Sequence, residues 1–250
     1  MGRLDGIRRH PIKGMGEDRV ERIELTAGAP VPFDRAWAVA LGGSGFDEAA
    51  PAWRHCREMM RVALAPELAQ VRVSFDEQNL RLELSHPELG GLEFDPAAPD
   101  GAASVAAWIA PLADRYACGP YRLVSAPPAA MTDFEDTHVS IASLASLRAL
   151  EEMAGRELDS RRFRMNLWFD GFAPLEELNW VDREIEIGEV RLRVTKRDRR
   201  CAATHANPET GLRDVELGRL LHERVGHMDF GVYAQVVASG PISVGDEVRA

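Results

Sequence analysis

Short segments of alternating apolar and polar residues, separated by glycine turns, dominate the last hundred residues of the chain. Side chains that alternate with a period of two are typical of strands that bury one face. The predicted strands are 165–169, 184–187, 190–195, 231–237 and 242–244. Strands this short and evenly spaced favour a β-barrel or a mixed α+β domain over a parallel sheet wound with helices. We therefore expect an α+β fold that is mainly β, with a few peripheral helices.

The first part of the chain is also rich in predicted strands, which are 20–25, 36–41, 70–75 and 80–84. The last two form a hairpin, because polar turn residues lie between them. A stretch rich in Pro, Ala and Gly at 94–101 indicates a surface connection. These features predict a smaller β-rich subdomain at 1–100 and a second domain at 101–250.

Three helices are predicted, at 104–112, 140–154 and 214–225. The middle one has the clearest pattern, because its apolar residues recur at helical spacing. Ser140 is expected to begin this helix as its N-cap, and Gly155 is expected to end it.

The composition excludes several classes of protein. A formal net charge of −10 argues against general nucleic-acid binding, because affinity for a phosphate backbone requires an excess of Lys and Arg. No stretch approaches the roughly 18 apolar residues that span a bilayer, and the N-terminus lacks the apolar segment of a secretory signal. Three widely spaced cysteines match neither a disulfide framework nor a CxxC zinc or iron–sulfur motif. We expect a cytoplasmic protein with no nucleic-acid partner and no membrane insertion.

Two basic runs contrast with the acidic average. A run of this kind is either a solvated face or the receiver of an anionic ligand, and the sequence leaves both interpretations open. The residues of the two runs are Arg161, Arg162 and Arg164, and Lys196, Arg197, Arg199 and Arg200.

Cys201 follows the predicted strand 190–195 in a charged, turn-rich segment. The guanidinium groups of Arg199 and Arg200 favour a thiolate, which is the form of cysteine that acts as a nucleophile and as a metal ligand. The alternative is a small buried apolar side chain, the commonest role of an isolated cysteine.

Several motifs in the second half resemble a MOSC domain, the module related to the C-terminal part of molybdenum-cofactor sulfurases. They are 162–166 (RFRMN), 187–190 (IGEV), 200–204 (RCAAT), 208–211 (PETG), 230–234 (FGVYA) and 245–248 (GDEV). The first half is similar to the β-rich region that precedes MOSC domains, through 10–14 (HPIKG) and 33–37 (FDRAW). Because the motifs keep their order, the resemblance covers nearly the whole chain.

The resemblance implies a protein that binds a molybdopterin-type cofactor or handles its sulfur, with Cys201 as the molybdenum ligand or as the carrier of a persulfide. It also implies that the phosphate and dithiolene end of the pterin is held by residues along the chain. Arg199 and Arg200 are expected to bind the cofactor as well, although Arg199 departs from the family pattern, in which a serine is common, and could instead crowd the metal. A phosphate monoester suits such a set, because guanidinium forks and a lysine ammonium are good receivers of its charge. The matching positions are Lys13, Arg35, Asp136, Thr137, Ser140, Arg164 and Asn166.

Three functions compete at this point. The first is a molybdenum-dependent oxidoreductase of reductase type, which needs an electron-transfer partner and a small-molecule substrate. The second is a carrier that receives sulfur or cofactor through Cys201 from a donor protein, and the third is a non-catalytic interaction module. The chain has no pyridoxal-phosphate-dependent desulfurase domain, and three cysteines are too few for an all-cysteine iron–sulfur site. We therefore expect neither pyridoxal phosphate nor an iron–sulfur cluster in this chain.

Overall fold

The structure is a computed structural model that describes all residues 1–250, and it contains fifteen strands and three α-helices. The first eight strands are β1 (Gly2–Arg9), β2 (Asp18–Val20), β3 (Arg22–Leu25), β4 (Ala38–Ala40), β5 (Arg72–Asp76), β6 (Arg81–His86), β7 (Gly90–Phe94) and β8 (Arg122–Val124). The other seven are β9 (Val139–Ser143), β10 (Leu167–Asp170), β11 (Glu184–Ile187), β12 (Val190–Arg199), β13 (Asp229–Ala238), β14 (Gly240–Ser243) and β15 (Glu247–Arg249). The helices are α1 (Pro99–Ala113), α2 (Leu144–Ala154) and α3 (Leu217–Val225).

Seven strands close into a barrel that forms the centre of the second half. Their order is β10-β9-β13-β12-β11-β15-β1, and β1 pairs with β10 to complete the circle, while β2 extends β1 on the outside. Alternation determines which side chains face inward: in β11, Ile185 and Ile187 are buried and Glu184 is not. The barrel core contains 21 buried apolar residues, and the largest among them is Trp180. This confirms the predicted fold class, which is mainly β with a few helices outside the barrel.

The first half folds around a second core of 18 buried apolar residues. The predicted hairpin is confirmed as β5 and β6, with Phe75 opposite Leu82 and Asp76 opposite Arg81. Its turn is stabilised by the Asp76 carboxylate, which accepts hydrogen bonds from the backbone N–H groups of Gln78 and Asn79. β7 continues this sheet beyond β6, and α1 packs against β7 and β8.

The prediction that Ser140 begins a helix is wrong. Residues Val139–Ser143 form β9, which lies between β10 and β13 with all five residues buried, and α2 begins only at Leu144. The helix cap is Ser143, whose hydroxyl accepts from the N–H of Ala145, and Gly155 ends the helix in the left-handed conformation as predicted. A strand buried on both faces lacks polar alternation, so its residues were included in the helix predicted at 140–154.

The boundaries of other predicted elements also differ. The single strand predicted at 20–25 is two strands, β2 and β3, which pair with β1 and β14 respectively. Helix α1 begins five residues before its predicted start, at Pro99, a residue that is well suited to the first turn. The division into 1–100 and 101–250 stays a prediction, and the fold adds a feature that it did not include: β1, from the first half, belongs to the barrel of the second. No helix has both the length and the apolar character needed to span a bilayer.

Candidate functional site

A cavity of about 370 Å³ lies between the two halves of the chain. Seven cationic side chains and two carboxylates line it, so it is strongly basic in a protein whose net charge is negative. Residues 13–63 form one wall and residues 133–233 the other. The polar lining residues are Lys13, Arg35, Cys56, Arg57, Arg61, Asp133, Ser140, Arg162, Arg164, Asp198, Arg200, Cys201 and Tyr233.

Lys13 reaches the cavity from the segment that connects β1 and β2. Its backbone N–H donates to the carbonyl of Trp37, 2.8 Å away, and its side chain is 6% exposed. Gly14 follows with a φ of +79°, and a Cβ there would lie 2.9 Å from the Cα of Arg61. The glycine thus permits the close approach of the two segments that carry Lys13 and Arg61.

Arg35 and Arg164 both have left-handed backbones, with φ of 49° and 53°. This conformation is unfavourable for residues with a Cβ, costs about 1–3 kcal/mol and is found preferentially at functional sites. The two residues also contact each other, because Arg35 Nη2 donates to the carbonyl of Arg164 over 2.8 Å. Arg35 is further paired with the buried carboxylate of Asp34 at 2.5 Å.

Arg164 has no carboxylate partner. Its Nη1 donates to the carbonyl of Met15 at 2.8 Å, while its Nη2 is buried and has no hydrogen-bond partner in the protein. Burial and the neighbouring charge of Arg35 lower the pKa of Arg164 to about 9. A guanidinium in this position is an uncompensated buried charge, which an anion in the cavity would neutralise.

Ser140 and Asn166 form a buried pair beside the cavity. The Ser140 hydroxyl donates to Asn166 Oδ1 at 2.8 Å, and Asn166 Nδ2 donates to the carbonyl of Arg8 at 3.1 Å. Ser140 lines the cavity, whereas Asn166 does not. The Asn166 amide is therefore engaged in joining β1, β9 and the start of β10.

Cys201 lies two residues beyond the end of β12, and its side chain is exposed at the cavity wall. Alternation along β12 directs Asp198 and Arg200 inward and Arg199 outward, where Arg199 Nη2 lies 3.7 Å from the sulfur of Met228. Arg199, which was predicted to bind the cofactor, thus does not line the cavity.

Asp198 and Arg200 form a buried ion pair below Cys201. Arg200 also donates to the carbonyl of Phe163 at 2.6 Å, while its Nε has no partner. Burial raises the pKa of the Asp198 carboxyl to about 6, even though Arg200 opposes the shift. The neighbouring Tyr233 hydroxyl also opposes the rise in the pKa of Asp198.

Asp136 and Thr137, which the resemblance assigns to the cofactor, lie on an exposed loop outside the cavity. The acidic residue of this loop that does line the cavity is Asp133, whose Oδ1 lies 2.5 Å from Lys13 Nζ. The structure thus brings together Lys13, Arg35, Ser140, Arg164, Arg200 and Cys201 and leaves Asp136, Thr137, Asn166 and Arg199 outside.

Six polar residues of the cavity were not predicted: Cys56, Arg57, Arg61, Asp133, Asp198 and Tyr233. Asp198 had a usable signal, because alternation continued from the predicted strand places it on the same side as Arg200. The others come from loops or from strands whose partners the sequence does not specify, so no local pattern distinguishes them.

No curated protein matches the chain, whereas four chains of solved structures do, among them those of YuaD and YiiM. YuaD from Bacillus subtilis aligns over 99% of this chain and 93% of its own, with 10% identity and a TM-score of 0.44. YiiM from Geobacillus stearothermophilus aligns over 44% of this chain, with 18% identity and a TM-score of 0.33, and the chain spans about half of its length (52%). Both likenesses are distant.

Two protein families match the chain and together cover nearly all of it. The MOSC N-terminal beta barrel domain matches residues 1–112, and the MOSC domain matches residues 117–249. The cavity is lined from both matched regions, with Lys13 in the first and Cys201 in the second. The chain therefore belongs to the MOSC family, with the N-terminal β-barrel domain and the MOSC domain in one polypeptide.

Proposed function

We propose that the cavity binds a molybdopterin-type cofactor and that the protein is a molybdenum-dependent oxidoreductase of reductase type, with Cys201 as the protein ligand of the metal. The observation that carries the proposal is the buried, partnerless Nη2 of Arg164, which lines the cavity opposite the wall that carries Lys13 and Arg35. Three cations that converge on one cavity fit a phosphate monoester, which carries up to two negative charges.

The donor set fits the metal as well. Molybdenum in this cofactor is bound by the soft sulfurs of the pterin dithiolene, and one protein thiolate is a donor of the same kind. The structure has no group of three His, Cys, Asp or Glu side chains that would form a separate metal site. An exposed Cys201 beside a cavity of about 370 Å³ is thus suited to a metal that arrives with most of its own ligands. When bound, such a group supplies a two-electron redox centre.

Different side chains have different roles along the cavity. Lys13, Arg35 and Arg164 bind and orient the anionic end of the cofactor. Arg200 compensates negative charge beside Cys201, and Asp198 fixes its guanidinium by ion pairing. A reductase also needs electrons from outside, so we propose an electron-transfer protein as partner and a small molecule as substrate.

Cofactor content tests the proposal directly. The protein would be produced in a host that makes the molybdenum cofactor, purified without oxygen, and analysed for molybdenum by mass spectrometry and for pterin by fluorescence after oxidation. We expect near-stoichiometric metal and pterin in the wild type, loss of metal with retention of pterin in Cys201→Ala, and loss of both in Arg164→Gln.

Cys118→Ala is the matched control, because Cys118 is also exposed but does not line the cavity. It should keep the wild-type content of both components. Absence of metal and pterin from all four proteins would reject the cofactor proposal.

Sulfur transfer is the second candidate function, and the exposure of Cys201 is the observation that favours it. A persulfide on a donor protein would pass its terminal sulfur to the Cys201 thiolate, which leaves the donor as a thiol. Incubation with a cysteine desulfurase and cysteine should then add the mass of one sulfur atom to the peptide that contains Cys201. Addition only to Cys56 or Cys118 would reject this function.

A further inference from the structure

We propose that Asp133 competes with a phosphate group for Lys13, and that the segment 132–137 is a lid that moves away from the cavity when phosphate takes the ammonium. The inference rests on the proposed function, because it requires that the ligand of the cavity carries a phosphate.

The contact between Lys13 and Asp133 is the first support. The side chain of Lys13 is almost fully buried, and the Asp133 carboxylate, 2.5 Å away, is the only hydrogen-bond partner of its ammonium. The side chain of Asp133 is 54% exposed and makes no other hydrogen bond. The carboxylate thus occupies the place beside the ammonium that a phosphate oxygen would take.

Asp133 cannot relieve the conflict with a phosphate by taking up a proton. Burial raises the pKa of its carboxyl, but Lys13 and Arg35 outweigh burial and lower this pKa to about 2. The carboxylate therefore stays ionised at neutral pH. The phosphate and the Asp133 carboxylate repel each other beside one buried ammonium. The carboxylate moves, because its segment is weakly attached.

The attachment of the segment is the second support. No backbone N–H or C=O group of residues 133–137 takes part in a backbone–backbone hydrogen bond. Side chains hold the segment: Asp133 contacts Lys13, and the Phe134 ring lies 3.5 Å from Lys196 Nζ and 5.6 Å from the ring of Tyr233. The carbonyls of Phe134 and Asp136 contact only near neighbours, the Thr132 hydroxyl at 2.6 Å and His138 Nδ1 at 2.7 Å. Segments with few backbone hydrogen bonds open at low free-energy cost.

The two ends of the segment are fixed. The N–H of Met131 donates to the carbonyl of Arg35 at 2.8 Å, and β9 begins at Val139 in the middle of the barrel sheet. Movement is therefore confined to the residues between them. It would also change the position of Asp136 and Thr137, the two predicted cofactor residues that lie outside the cavity.

Calorimetric titration with inorganic phosphate, in a buffer without other multivalent anions, tests the competition. Asp133→Asn removes the competing charge, so we expect it to bind phosphate about tenfold more tightly than the wild type, the change expected if the open lid is populated at roughly one part in ten. Glu135→Gln is the matched control, because it removes one negative charge from the same segment without touching Lys13. It should bind phosphate like the wild type.

Cleavage by the Glu-specific protease after Glu135 reports the position of the lid. Phosphate should accelerate this cleavage in the wild type, and Asp133→Asn should be cleaved rapidly with or without phosphate. The lid would be overturned, and the proposed function left intact, if the wild type, Asp133→Asn and Glu135→Gln bound phosphate with equal affinity and phosphate did not change the cleavage of the wild type. No phosphate binding by any of the three proteins would overturn the phosphate receiver, and the lid with it.

Discussion

Replacement of Arg164 by Met should stabilise the folded protein while it removes cofactor binding. The pKa of Arg164 is lowered from 12.5 to about 9, and a folded-state pKa below the unfolded one means that the charged form is disfavoured by folding. At pH 7 the group is charged in both states, so the cost is fully present. A shift of this size corresponds to about 5 kcal/mol.

Two corrections reduce this gain. The hydrogen bond to the Met15 carbonyl is lost, which costs about 1 kcal/mol. Arg164 is also partly open to the cavity, so solvent screens part of its charge. A net increase of about 1–3 kcal/mol in the free energy of unfolding remains, which for a chain of this length raises Tm by roughly 2–12 °C.

Thermal and urea unfolding of the apoprotein in a buffer without phosphate would measure this change. Arg162→Met is the matched control two residues earlier, because Arg162 is buried but paired with Asp214 at 2.8 Å. Breaking a buried pair should lower stability by about 3–5 kcal/mol. A lower Tm for Arg164→Met, similar to that of Arg162→Met, would refute the view that Arg164 is an uncompensated charge.

Three further predictions concern residues around the cavity. Burial and the charges of Arg35 and Arg164 lower the pKa of His10 to about 3, and burial lowers the pKa of His138 to about 4. Both residues therefore contribute stability above pH 6.5 that is lost as the pH falls towards 3. The Tm, measured between pH 7.5 and 4 in steps of about half a unit, should decrease with pH, and a constant Tm would contradict this. Gly14→Ala should destabilise the fold by about 1–3 kcal/mol in urea unfolding, because of its φ of +79° and the backbone of Arg61, and an unchanged midpoint would exclude this close approach. Asn166→Ala should lower the free energy of unfolding by about 2–4 kcal/mol, because the hydrogen bonds to Ser140 and to the Arg8 carbonyl are lost. Arg199→Ala should change this free energy by less than about 0.5 kcal/mol. Similar losses for both variants would contradict the placement of Arg199 outside the cavity.

The sequence predicted the fold class well because alternation is a local signal of a half-buried strand. It did not predict β9, since a strand with two buried faces lacks that alternation and Ser140 also fits a helix start. The strand is specified by its neighbours β10 and β13, which lie far away in sequence. Burial on both faces did not by itself prevent a correct prediction, because β4 and β10 are also buried and were predicted as strands. The prediction failed at β9 because its residues directly precede α2 and fit the spacing of that helix.

Residues of the site were predictable when a motif carried them. Lys13, Arg35, Arg164 and Cys201 belong to motifs, and the structure brings them to one cavity. Asp133 belongs to no motif, and its role depends on a contact with a residue 120 positions away. Such pairs arise from the packing of the two halves, which no local pattern encodes.

The barrel closes only when β1 has paired with two strands that lie far from it in sequence. β1 pairs with β10 and with β15, whose partners for Arg3 are Asp170 and Glu247. A fragment limited to the matched MOSC domain, residues 117–249, would lack β1 and leave β10 and β15 with unpaired edges. Synthesis from the N-terminus therefore makes β1 long before β10 and β15, so the barrel cannot close until β15 has been made. The two family domains are separate in sequence but share the barrel through β1, and we expect neither to fold alone.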